Sequence, residues 1–228
     1  MTTPIYDAVL FDLDGVLTST AALHARCWKL TFDPVLALHG QRPFDAEREY
    51  LEHVDGKMRE DGVRDFLRSR GLDVPPLTVR LIARRKQALV EQALLRGGVE
   101  AFPGSVRWVR HLRETGVRTA VVSSSANADA VLYAAGISDL FELTVDGGDV
   151  ARLGLAGKPA PDGFLEAARR LGVTPRRSVV VEDALAGVAA GRAGDFGLVI
   201  GVARSAASHD LRSAGADVVV DDLGELAP

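Results

Sequence analysis

Six short apolar runs punctuate this chain: Tyr6–Asp12, Thr119–Val122, Leu143–Val145, Val179–Val181, Leu198–Val202 and Val218–Val220. Their hydrophobicity is continuous rather than alternating, which suits strands buried on both faces, as in a parallel sheet. Helical patterns lie between most of them, over roughly 104–115, 126–135, 161–171, 184–193 and 206–214. Gly116, Gly136 and Gly172 fall just past three of these segments, where a left-handed helix end favours glycine. Such alternation predicts an α/β fold with a doubly wound parallel sheet.

The rhythm breaks between the first two strands. Residues 20–98 carry helical patterns at Ala21–Phe32, Ala46–His53, Arg59–Ser69 and Leu77–Leu95, separated by Gly71, Pro75-Pro76 and Gly97-Gly98. The expected organisation is therefore a core made of residues 1–19 and 99–228, with a helical cap inserted over 20–98 that returns to the core near Gly98. A chain of 228 residues is long enough to bury a core and carry such an insertion.

Composition narrows the function classes. With 47% hydrophobic and 25% charged residues the chain reads as an ordinary soluble globular protein. A formal charge of -4 without a long basic run argues against phosphate-neutralising binding to nucleic acid. The cluster Arg80, Arg84, Arg85, Lys86 reads mainly as a solvated helix face. No charge-free apolar stretch reaches roughly 18 residues, so no membrane partner is expected. Asp7 and Asp12 arrive before a signal-like segment can develop, and Cys27 is the sole cysteine, so a cytoplasmic location is expected. The oligomeric state is expected to be a monomer or a small homo-oligomer. Lysine is scarce (Lys29, Lys57, Lys86 and Lys158), so each survivor is a candidate for a place where a compact ammonium suits better than a guanidinium.

Four segments bring chemistry to strand ends. Asp12 and Asp14 stand two residues apart after the first strand, on one face of an extended segment. As a functional pair, Asp12 is the nucleophile toward phosphorus and Asp14 the acid/base; read alone, the pair equally fits plain loop acids. Ser123 ends the second run, where hydroxyl and N–H groups at a helix start can cradle phosphate. Ser124, Ser125 and Asn127 lie beside it, and Ser125 or Asn127 equally suits simple capping. Lys158, fixed between Gly157 and Pro159, would offset phosphate charge, or else be an exposed loop lysine. Glu182 and Asp183 close the fourth run; they either complement a helix dipole or, beside Asp12, complete an all-oxygen site for Mg²⁺.

The ordered set Phe11-Asp12-Leu13-Asp14-Gly15-Val16, Ser123, Lys158-Pro159 and Glu182-Asp183-Ala184 resembles the haloacid-dehalogenase superfamily of aspartate phosphotransferases. The cap, with Thr20, His24, Gly56, Arg59 and Lys86, is most similar to the β-phosphoglucomutase-like branch. The resemblance implies an aspartyl phosphate on Asp12, and Mg²⁺ held by Asp12, the Asp14 carbonyl and Asp183, with Glu182 nearby. It implies that His24 couples cap closure to proton transfer and that Arg59 holds the non-transferring phosphate of a small phosphorylated sugar. Lys86 and Asn127 would orient that sugar. Mutases of this branch carry a lysine just before the cap glycine; here Asp55 stands there, and Lys57 after Gly56 is the expected substitute.

The function expected is thus phosphoryl transfer on sugar phosphates, mutase-like, with a phosphatase using the same residues as the alternative. The intact acid, serine and lysine set argues against a non-catalytic relative, and Asp14 with the paired acids argues against dehalogenation. Cys27, Trp28 and Trp108 read as packing residues, and His39, His53, His111 and His209 show no metal-ligand spacing.

Overall fold

The computed structural model describes residues 6–96, 99–204 and 206–228. The predicted return to the core at Gly97-Gly98 lies outside the described residues. Six parallel strands form one sheet in the order β3-β2-β1-β4-β5-β6. They are β1 (Ala8–Phe11), β2 (Arg118–Val122), β3 (Leu143–Val145), β4 (Ser178–Glu182), β5 (Leu198–Val202) and β6 (Val218–Val220). All six expected runs are strands.

The continuous hydrophobicity of β1 follows from its central place. Val9 and Phe11 point into one core layer, Ala8 and Leu10 into the other. In β4 Val179 and Val181 join the first layer and Val180 the second. One layer is closed by α4 (Pro103–Glu114) through Trp108 and Val109, and by α5 (Ala128–Ala134) through Val131 and Leu132. The other is closed by α7 (Asp162–Leu171), whose Phe164, Ala167, Ala168 and Leu171 are buried at helical spacing. Helices α8 (Leu185–Ala193) and α9 (Ser208–Ala214) pack beside β5 through Val188 and Leu211. Gly116, Gly136 and Gly172 all have positive φ, as expected of helix ends. One helix has no counterpart in the sequence reading: α6 (Gly147–Leu153), capped by the Asp146 side chain accepting from the Asp149 N–H. Its Gly147-Gly148 start hides it from any propensity argument.

The insertion is helical throughout its regular elements: α1 (Ala21–Leu38), a π-helical segment (Tyr50–Val54), α2 (Arg59–Ser69) and α3 (Pro76–Leu95). They share a core of their own, in which Phe32 meets Trp28, Phe44 and Phe66 with ring centroids 4.2–5.2 Å apart. Helix α1 runs past the expected end at Phe32 and through Pro34. Proline there cannot bond the Leu30 carbonyl; Arg85 reaches that carbonyl at 3.5 Å, and burial of Leu36 in the cap core favours the continuation. Among the described residues no helix is long and apolar enough to cross a membrane.

Candidate active site

In this strand order the connections reverse direction between β1 and β4, the place where open α/β sheets leave a crevice at their carboxyl ends. Asp12 follows β1 and its N–H donates to the Val181 carbonyl of β4 at 2.9 Å, so it stands beside Glu182 and Asp183. Oxygens of Asp12, Glu182 and Asp183 lie within 4.8 Å of one another, all three residues buried. Lys158 bridges this group from below, donating to Asp12 Oδ1 at 2.5 Å and to the Val122 carbonyl at 3.0 Å, with Glu182 Oε1 at 2.6 Å.

Burial pushes the Asp12 carboxyl up, with Lys158 pulling it back and Asp14 adding to the rise. Burial likewise lifts Glu182 to about 8 against the pull of Lys158. For Lys158 itself burial disfavours the ammonium, but Asp12 and Glu182 outweigh that and hold it above its ordinary range. Asp12 and Glu182 thus share Lys158, and with Asp183 they form a buried all-oxygen donor set that fits a hard divalent cation such as Mg²⁺. Two glycines leave room for these acids. A Cβ on Gly15 (φ +87°) would lie 1.9 Å from Asp183 Oδ2, and one on Gly187 would lie 1.8 Å from Glu182 Oε1.

Asp14 is turned away from that cluster and toward the insertion. Its Oδ1 accepts from the Thr20 hydroxyl, which also contacts Thr18 Oγ1 at 2.9 Å. His24 Nε2 of α1 lies 3.4 Å from the same oxygen. On the other side of the ring, Lys86 Nζ of α3 is 2.8 Å from His24 Nδ1 and 5.0 Å above the Trp28 ring. An ammonium only donates, so this contact leaves Nδ1 as acceptor and places the ring proton on Nε2, facing Asp14. Burial, then Lys86 and Arg59, holds His24 well below its usual pKa, so the ring is neutral. Burial lowers Lys86 to about 8, with Arg59 adding to the effect and Asp14 opposing it. Asp14 is raised by burial, against the Thr20 hydrogen bond.

Asp12, Asp14, His24, Gly56, Lys57, Arg59, Lys86, Ser123, Ser124, Ser125 and Asp183 all line one cavity between core and insertion. Thr20, Glu182 and Lys158 stand behind that wall. Ser123 accepts from the Ser125 N–H at 3.1 Å, and Ser124 donates to the Gly56 carbonyl at 2.7 Å, tying the insertion to the core. Two expectations are altered in position. Asn127, expected at the substrate, is off the cavity wall and paired with Gln87 of α3 at 2.7 Å. Lys57, expected to replace the missing lysine, is held at the rim by Asp65. Trp28, read as packing, is buried and also lines the cavity, as do Tyr50, Val54 and Asp55. Tyr50 went unnoticed because an aromatic in a helical segment signals core first. The cavity volume is about 50 Å³, room for a few waters.

A buried nucleophile-type acid held by lysine, a neighbouring acid with histidine, and a metal-competent acid pair can transfer a phosphoryl group. Comparison with known proteins agrees in kind. A family model described as haloacid dehalogenase-like hydrolase matches residues 6–195. The β-phosphoglucomutases of Mycobacterium bovis and Mycobacterium tuberculosis are 47% identical over 237 residues, spanning 96% of this chain and 90% of theirs. CbbY from Rhodobacter sphaeroides, solved with phosphate, is similar with a TM-score of 0.78 at 30% identity, covering 97% of this chain and 96% of its own. A β-phosphoglucomutase from Clostridium difficile gives 0.79 at 26% identity, over 97% and 93% of the two chains.

Proposed function

The chain belongs to the haloacid dehalogenase-like hydrolase family, and on that premise we propose that it is a Mg²⁺-dependent phosphoryl transferase that isomerises a small sugar phosphate. One observation carries the reading: the Asp12 and Asp14 carboxylates of the core share one cavity with His24, Arg59 and Lys86 of the insertion. The likeness to β-phosphoglucomutases supports a sugar phosphate as substrate. Residues 1–19 and 99–228 then form the catalytic core, and residues 20–98 form a cap that opens and closes on it.

Asp12, Glu182 and Asp183 would hold Mg²⁺ with the Asp14 carbonyl; when bound, the ion offsets charge on the phosphoryl group and the carboxylates. Lys158 engages one oxygen of Asp12 and leaves the other for phosphorus. As the Asp12–phosphorus bond forms, the bond from phosphorus to the sugar oxygen breaks, and Asp14 gives its proton to that oxygen. On return, Asp14 takes the proton of an attacking sugar hydroxyl and the phosphoryl group leaves Asp12 for that oxygen. Thr20 and the neutral His24 keep Asp14 aimed through both steps. Arg59 receives the phosphate not being transferred, with Lys86, Ser124 and Ser125 around the sugar.

A panel of sugar phosphates, each with a trace of the matching bisphosphate and Mg²⁺, tests this. Isomerised product is expected to exceed free phosphate for at least one aldose phosphate. Dominant phosphate release across the panel would make the protein a phosphatase instead. Asp12→Asn is expected to abolish turnover of sugar and aryl phosphates alike, read as released phosphate.

A further inference from the structure

A cavity built to receive phosphate contains a carboxylate that neither the phosphoryl transfer nor the metal site uses. Asp55 ends the π-helical segment in extended backbone (φ −65°, ψ 135°) and lines the cavity opposite Asp12 and Asp14. Its position is rigidly set. Gly56 follows with φ +68°, its carbonyl accepts from Ser124 at 2.7 Å, and its α-carbon is pressed so closely on the core that a Cβ would sit 2.8 Å from Ala184 Cβ.

The partners of Asp55 are the Tyr50 hydroxyl and the Gly56 N–H, both donors. Each cation of the cavity is directed elsewhere. Lys57 pairs with Asp65, Lys86 with His24, and Arg59 is drawn to Glu60 and Glu91. Burial, with Asp12 and Asp14 nearby, raises the Asp55 carboxyl to about 7 against the pull of the Tyr50 and Gly56 donors. In its ionised form, the one present above that value, it offers about four acceptor sites, so two remain for a ligand in the cavity. When the cap closes and water leaves, those sites are satisfied only by a ligand that donates hydrogen bonds. A phosphate or carboxylate there would meet Asp55 together with Asp12 and Asp14, and like charges in a closed cavity repel strongly.

We infer that Asp55 is a specificity-determining residue that accepts a hydrogen bond from a free hydroxyl of an otherwise uncharged, monophosphorylated sugar and excludes a second anionic group from its side of the cavity. Any second phosphate must then lie toward Arg59 and Lys86. The inference rests on the sugar-phosphate reading above and adds which part of the sugar is read, and by what.

The test uses the full-length protein with the aldose phosphate of highest kcat/KM from the panel, its monodeoxy counterparts, and p-nitrophenyl phosphate, which has no sugar hydroxyl. In the native protein one deoxy counterpart should lose about 10- to 100-fold in kcat/KM, the range for a hydrogen bond to a charged group. Asp55→Ala should erase the difference between that counterpart and its parent while preserving discrimination at the other hydroxyls. Asp55→Asn, which keeps an acceptor oxygen and the side-chain shape, should restore part of it. An equal fall on parent, every deoxy counterpart and p-nitrophenyl phosphate would mean that Asp55 only shapes the loop, and the inference would be wrong. So would native kcat/KM values that no missing hydroxyl changes. If no sugar phosphate surpasses p-nitrophenyl phosphate, the functional reading itself fails and takes the inference with it; a preferred sugar with uniform losses overturns the inference alone.

Discussion

Lys86 holds its ammonium inside the protein at 6% exposure, between a neutral imidazole and the Trp28 ring. Burial and Arg59 bring its pKa from 10.5 to about 8. The unfolded chain therefore binds this proton more tightly than the folded one between those values. Stability must rise with pH across that window, and the full penalty is present below it. At ~1.4 kcal/mol per pKa unit the penalty is ~3 kcal/mol. Lys86→Met is expected to be more stable than the native protein near neutral pH by an amount of that order. Its stability should lack the native rise between about pH 8 and 10, as urea unfolding at several pH values will read. The same variant frees His24 Nδ1 from its donor, so turnover should fall although stability grows. A variant that loses stability at neutral pH would refute the account.

At the scale of elements, the junction of the π-helical segment with α2 is the most constrained stretch of the insertion. Gly56 takes the left-handed conformation there, which costs an L-residue roughly 1–2 kcal/mol, and it approaches Ala184 too closely for any side chain. Gly56→Ala is expected to melt at a slightly lower temperature yet to lose at least about tenfold in kcat/KM, since 1.4 kcal/mol spent only in the closed form is already a factor of ten. Native-like turnover in this variant would show that the cap does not need this contact to close. Elements also explain where sequence and structure part. The stripe Trp28, Phe32 and Leu36 outweighs Pro34, so α1 outruns its expected end; the penalty of proline is local, while the gain from burial is tertiary.

For the molecule as a whole, the cavity of about 50 Å³ has room for a few waters, so the proposed function requires the insertion to swing away from the core to admit a sugar phosphate. Besides Thr20 and His24 at Asp14, polar contacts between insertion and core include Ser124 to the Gly56 carbonyl and Gln87 to Asn127. Neither Gln87 nor Asn127 touches the cavity wall, so the Gln87–Asn127 contact acts on closure alone. Gln87→Ala should raise the share of phosphate released to water, relative to isomerised product, by several-fold, because a looser cap admits water to the phosphorylated Asp12. Equal product ratios in native protein and variant would remove this latch from the account.

Local order in the chain was enough to determine the strands, most of the core helices and the candidate residues at strand ends, though not α6. A run buried on both faces has to be apolar throughout, and a functional group at the tip of a parallel strand falls at the same edge as its counterparts. That is why Asp12, Ser123, Glu182 and Asp183 stood out by position, with the family resemblance choosing between their alternatives; Lys158, expected at a strand end, instead lies in the loop between α6 and α7. Which of them touch was decided by tertiary structure: β4 lies next to β1, so residues 12 and 183 meet although about three quarters of the chain separates them. The cap face was settled there too. Periodicity encodes that a residue is buried, not what it is buried against, so Tyr50 went unnoticed, Trp28 looked like packing and Asp55 like a lost lysine until the insertion set them around one cavity.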